Sequence, residues 1–140
     1  MAHILIIDDD PDILLLLQRI MKDMGHDSVC ANDLKTGLQA AMSHTYDVIL
    51  LDLDFPEGNG IEILPDLIDL PNAPEVIIIT GTGDVKGAEI AFQYGAWDYI
   101  RKPFLTEEVT LPVSRALQYH EEKGAAHKPA NLKRGSIVGE

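Results

Sequence analysis

VILLDLDFPEGNG, residues 48–60, sets an apolar run against Asp52 and Asp54 and then breaks at once into Pro56, Gly58 and Gly60. A short, β-rich apolar run that stops in turn formers reads as a buried strand. Four further runs resemble it, so that the set is HILII (3–7), SVCA (28–31), DVILL (47–51), EVIII (75–79) and DYI (98–100). Four of the five are apolar nearly throughout rather than alternating, as expected of strands covered by helices on both faces. Between them, helical periodicity predicts helices near 11–24, 33–44, 59–69, 84–94 and 105–122. Pro11 suits a first helical turn, Asp84 an N-cap, and Gly25 and Gly95 C-terminal caps. Pro65 and Pro112 fall inside two helix candidates, where a missing donor predicts a kink or a late start. Five βα units in succession, joined by right-handed crossovers, give an α/β fold: a doubly wound parallel sheet with helices on both faces.

Composition narrows the partners. The 140 residues are 46% hydrophobic, enough for one core, and the formal net charge is −12. Such a surface repels nucleic-acid phosphates and anionic lipid, so this segment is expected to bind neither nucleic acid nor membrane, and a cation or a basic partner suits it better. Cys30 is the only cysteine, which rules out an intrachain disulfide and fits a reducing, cytoplasmic setting. No apolar run approaches the length of a bilayer span, and MAHILIIDDD does not have the layout of a signal peptide. The five histidines, His3, His26, His44, His120 and His127, fall on different elements without metal-ligand spacing.

The polar residues collect at one end of the predicted sheet. Asp8, Asp9 and Asp10 follow the first strand, Asp52 and Asp54 the third, Thr80 ends the fourth, and Lys102 closely follows the fifth. Open α/β sheets put their ligand sites at the carboxyl ends of strands. Taken singly, an aspartate after a strand is most often a turn former or an N-cap, and a lysine an ordinary solvated charge. Acids, a hydroxyl and an ammonium at matching ends of four strands are a different matter, and together they point to a pocket.

Three carboxylates within a few ångströms repel one another, so one must stay protonated or a cation must intervene. Mg²⁺ takes oxygen ligands, keeps several waters and often sits between one or two carboxylates and a phosphate. Lys102 and Thr80 then supply donors for phosphoryl oxygens, and an aspartate in such a site can attack phosphorus to form an acyl phosphate. On this reading Asp52 is held rigidly because it accepts a phosphoryl group.

The segments IIDDD (6–10), VILLDLDFPEGNGIEIL (48–64), VIIITGTGD (76–84) and GAWDYIRKPF (95–104) resemble the receiver domain of bacterial two-component response regulators, over residues 1–122. That resemblance implies a flavodoxin-like fold with strand order 2-1-3-4-5. It implies a sensor histidine kinase as partner, phosphorylation-dependent homodimerisation, and a signalling module rather than an enzyme. Position by position, it makes Asp52 the phosphoacceptor, Asp9 and Asp52 direct Mg²⁺ ligands, Asp8 a water-mediated ligand, and the Asp54 backbone carbonyl another. Thr80 would contact the phosphoryl group and switch, Lys102 would pair with it, and Tyr99 would be the aromatic whose rotamer reports the state. Asp54 and Thr82 stand at positions that vary in the family.

Two rivals remain. A haloacid dehalogenase-like phosphatase shares the Asp-x-Asp stretch, but it usually has its acidic pair last, whereas Asp8 and Asp9 precede Asp52 here. An FMN-binding flavodoxin would need a Ser/Thr/Gly-rich phosphate loop after the first strand. From Lys123 the chain loses periodicity and holds four basic residues and one acid, against seven basic and 22 acidic residues in 1–122. Residues 123–140 therefore read as a linker. Its ending, GSIVGE (135–140), resembles the opening of the ATPase domain of sigma-54-dependent transcriptional activators, implying an output domain beyond it; the alternative is a stand-alone regulator.

Overall fold

The computed structural model describes residues 1–81 and 85–126. In chain order its elements are β1 (His3–Ile7), α1 (Pro11–Asp23), β2 (Asp27–Ala31), α2 (Leu34–Ser43), β3 (Val48–Leu51), β4 (Asp54–Phe55) and β5 (Gly58–Asn59). A 3-10 turn (Gly60–Ile63) then runs into α3 (Leu64–Ile68), followed by β6 (Glu75–Thr80), α4 (Val85–Gln93), β7 (Asp98–Arg101) and α5 (Thr106–Ala126). Asp84, Thr82, His127 and the tail through GSIVGE lie outside the described residues.

The main sheet is parallel in the order β2-β1-β3-β6-β7, which is the expected 2-1-3-4-5 counted over these five strands. Its central strands β1, β3 and β6 are buried almost throughout, and their side chains alternate between two cores. Leu5, Ile7, Ile49, Leu51, Val76 and Ile78 face α2, α3 and α4. Ile4, Ile6, Val48, Leu50, Ile77 and Ile79 face α1, through Leu17, Ile20 and Met21, and α5, through Val109, Val113 and Ala116. Period-2 strands and period-3.6 helix stripes thus fit together on both faces. Strand β2 departs from the continuous burial expected of it: as an edge strand it leaves Val29 exposed. The strand order reverses between β1 and β3, and their carboxyl ends flank the crevice where such folds place a site.

Local chemistry sets the boundaries. Pro11 opens α1 and the Asp10 side chain caps it by accepting from the Asp12 N–H. Gly25 and Gly95 follow α1 and α4 at φ +88° and +102°, where a Cβ would be strained. Pro65 falls in the first turn of α3, the late start expected of it, after a 3-10 turn capped by Asn59. Pro112 starts nothing, because α5 is continuous from Thr106. The donor that Pro112 lacks would have served the carbonyl of Glu108, an exposed residue whose carbonyl water can reach. Helix α5 also reaches Ala126, past the boundary expected at 122.

A polar clasp at the amino-terminal end of the sheet holds that last part of α5. Glu75, only 7% exposed at the start of β6, accepts from Lys123 Nζ at 2.7 Å and sits 3.0 Å from His120 Nδ1. His120 Nε2 lies 3.4 Å from Asp47 Oδ1 and 3.3 Å from the Asn72 amide, and Lys123 also donates to the Ala73 carbonyl at 2.9 Å. Beside it Trp97 stacks on Tyr119 with ring centroids 4.7 Å apart. No helix among the described residues is long and apolar enough to cross a membrane.

Candidate functional site

Four strand ends build the pocket. Asp8 follows β1 and is 1% exposed; its N–H donates to the Ala31 carbonyl, and its Oδ1 accepts from the Asp10 N–H at 2.9 Å. Asp52 follows β3 and is 3% exposed, its N–H bonded to the Ile7 carbonyl at 2.9 Å. Its Oδ1 accepts from the Leu53 N–H at 2.8 Å and from the Asp54 N–H at 3.4 Å. Thr80 ends β6 with no exposure at all. Lys102 follows β7, its N–H fixed to the Thr80 carbonyl at 2.9 Å, and a cis bond joins it to Pro103.

Between these residues the charges converge. Lys102 Nζ lies 2.7 Å from Asp8 Oδ2 and 3.4 Å from Asp52 Oδ2, with all three side chains largely buried. Asp8, Asp9 and Asp52 bring carboxylate oxygens within 4.8 Å of one another, Asp9 being the exposed member at the mouth. One ammonium faces three carboxylates, so the pocket is short of positive charge. Burial, and after it the charge of Asp8, push the Asp52 carboxyl up from 3.8 to about 6, against the pull of Lys102 and the two backbone N–H groups. Burial works against the Lys102 ammonium as well, but Asp8 and Asp52 outweigh it and its pKa is raised. Among the described residues, Asp8 Oδ2 is buried with no hydrogen-bond donor beyond that ion pair. An oxygen-rich, under-compensated set with one side open to water fits a hard divalent cation such as Mg²⁺.

The hairpin β4–β5 is the wall that the sequence did not announce. Its turn carries Glu57, whose Oε2 accepts from the Leu34 N–H at 2.8 Å, tying the hairpin to the start of α2. Gly60 closes it: a Cβ there would stand 2.2 Å from the Asp52 carbonyl oxygen, so only glycine lets the chain pass behind the strand end. Asp54 sits on β4 with its side chain exposed and turned to Thr80, whose hydroxyl donates to Asp54 Oδ2 at 3.0 Å. Tyr99 is half-buried on β7 and packs against the core cluster that includes Ala91 of α4. The sequence assigned no role to Glu57 or Glu75, read Gly60 only as a turn former, and read His120 only as a histidine without metal-ligand spacing. For Glu57 and Gly60 the only signal was their place in FPEGNG, just past the strand end.

Fold and pocket together define an α/β domain of the flavodoxin type with a metal-capable acidic site at the point where the strand order reverses. Residues 4–113 match the family of the response regulator receiver domain, and the chain belongs to that family. It is 35% identical over 121 residues to the regulatory protein AtoC of Escherichia coli (strain K12), spanning 86% of this chain and 26% of AtoC. It is 36% identical over 123 residues to the response regulator ArlR of Staphylococcus saprophyticus, spanning 88% of this chain and 56% of ArlR. The chain thus spans between about a quarter and about half of these curated relatives. Among solved structures, a response regulator receiver domain protein from Clostridium thermocellum superposes with a TM-score of 0.82 at 28% identity, covering 88% of this chain and 99% of that one. Both the phosphatase and the flavodoxin readings give way to this family.

Proposed function

We propose that Asp52 is the phosphoacceptor of this receiver domain. The observation that carries the reading is the Asp8–Asp9–Asp52 cluster, closed on one side by Lys102. Asp9 and Asp52 would hold Mg²⁺ directly, Asp8 through water, and the Asp54 carbonyl would complete the protein ligands. The cation supplies charge neutralisation for the carboxylates and for the phosphoryl oxygens. The chain's own groups do the rest. The Asp52 carboxylate attacks phosphorus, a P–O bond forms as the bond to the donor's leaving group breaks, and Lys102 balances the charge that builds up. The N–H groups of Leu53 and Asp54 hold the nucleophile in place, and the Thr80 hydroxyl would donate to a phosphoryl oxygen.

The donor would be a sensor histidine kinase, in a cytoplasmic setting, with the domain acting as a signalling module rather than turning over a separate substrate. Its output would be phosphorylation-dependent self-association through the face of α4, β7 and α5, where Ile90 and Leu111 are exposed. Similarity to AtoC, together with the GSIVGE ending, supports an output in sigma-54-dependent transcription. The test is mass spectrometry after treatment with acetyl phosphate and Mg²⁺. One phosphoryl adduct on the wild-type protein, absent from Asp52→Asn, is the expected result; an unchanged adduct in the variant overturns the assignment.

A further inference from the structure

The single proton of the Thr80 hydroxyl is already committed. Thr80 is fully buried, and a buried hydroxyl holds on to whatever acceptor it has. Here the acceptor is Asp54 Oδ2 at 3.0 Å. Asp54 cannot travel with Thr80, because it is paired across the hairpin with Asn59, its neighbour Phe55 is anchored in the core, and its own N–H is bonded to Asp52. Donation by Thr80 to a phosphoryl oxygen on Asp52 and donation to Asp54 are therefore alternatives.

We propose that the Asp54 side chain is a latch on Thr80: it holds the hydroxyl away from the phosphoryl site and sets how readily the domain enters its phosphorylated conformation. The proposal rests on the reading of Asp52 as the acceptor, and it concerns the Asp54 carboxylate, not the backbone carbonyl that would ligate the cation. Asp54 is a positioning residue, acting only through Thr80. A conformation that must first release a hydrogen bond binds its ligand more weakly by the fraction of molecules in which that bond is open. Because Asp54 is exposed, water takes over its vacated lone pair, and the latch is worth a moderate factor rather than a prohibitive one.

Charge and latch separate cleanly by substitution. Asp54→Ala and Asp54→Asn both remove a negative charge from beside an anionic ligand, but the Asn amide oxygen still accepts from Thr80. Titration with beryllofluoride and Mg²⁺, a stable phosphoryl mimic, should show Asp54→Ala binding about fivefold more tightly than Asp54→Asn, or ~1 kcal/mol. In a Thr80→Val background, with no hydroxyl to latch, the two variants should bind alike. Without metal, the methyl NMR signal of Thr80 should move in Asp54→Ala toward its position in the mimic-saturated wild type, and stay in place in Asp54→Asn. Equal affinities of Ala and Asn variants, a gap that survives in the Thr80→Val background, or a Thr80 signal indifferent to both substitutions would overturn the latch. Mimic binding that persists in Asp52→Asn would instead overturn the acceptor assignment, and the metal-free NMR comparison would still decide the latch.

Discussion

Asp52→Asn should make the metal-free domain more stable at pH 8 and leave it no more stable near pH 4. The Asp52 carboxyl is raised from 3.8 to about 6, so the folded chain holds that proton more tightly than the unfolded chain does. For an acid raised in this way, the associated stability is fully present below about 3.8 and is lost as the pH climbs through about 6. Above that range the wild type carries an unfavourable buried charge that asparagine does not. At ~1.36 kcal/mol per pH unit, a rise of about 2 units sets a ceiling near 3 kcal/mol. The pocket is open to water at Asp9, and screening reduces this to ~1–2 kcal/mol. In a domain of this size that amounts to about 3–8 °C in Tm. Thermal denaturation of both proteins in chelator across pH 4–8 reads the difference directly, since acid effects at carboxylates away from the pocket are common to both. Added Mg²⁺ should then narrow the gap by stabilising the wild type more than the variant. A gap equal at pH 4 and pH 8, or a variant less stable than the wild type at pH 8, would refute the electrostatic account.

Lys102→Met strips the only close cation that the described residues give Asp8 and Asp52 and should cost ~2–4 kcal/mol in urea denaturation at pH 8, with much of the loss recovered on adding Mg²⁺. Gly60→Ala forces a methyl group against the Asp52 carbonyl oxygen; a loss of ~1–3 kcal/mol is expected by thermal melting, together with weaker mimic binding because the strand end must shift. His120→Ala breaks the clasp at Glu75, Asp47 and Asn72 and should cost ~1–2 kcal/mol, seen as faster amide exchange in the last turns of α5, while Mg²⁺ affinity stays as in the wild type.

What could be read from the sequence was what is encoded locally. The middles of β1, β3 and β6 are buried on both faces and therefore run apolar without a break, and Pro11, Gly25 and Gly95 are single-residue signals with a backbone cause. The hairpin β4–β5 escaped because two residues per strand are too few for a period of two to show. The continuity of α5 through Pro112 is decided by Val109, Val113 and Ala116 packing on the sheet, a tertiary effect that overrides a local breaker. Of the pocket, residue types and strand ends were legible, because every member lies just past an apolar run. Side-chain direction was not: Asp54 was read for its carbonyl, and its carboxylate turned out to reach Thr80, 26 positions on. The clasp was hidden for the same reason, since His120 and Glu75 are 45 positions apart and neither belongs to a motif.

Helix α5 has one end near the acidic pocket and the other in the clasp. From Thr106 to Lys123 it runs about 26 Å at ~1.5 Å per residue. Pinned at His120 and Lys123, it behaves as a beam hinged at its far end: a shift of about 1 Å in its first turn becomes a tilt of about 2°, with almost no motion at the hinge. A tilt of this kind would move the flank the helix shares with β7 most and the clasped turns least. A partner that reads the state of the pocket would gain most by resting against that flank, because the clasped turns of the helix would move least.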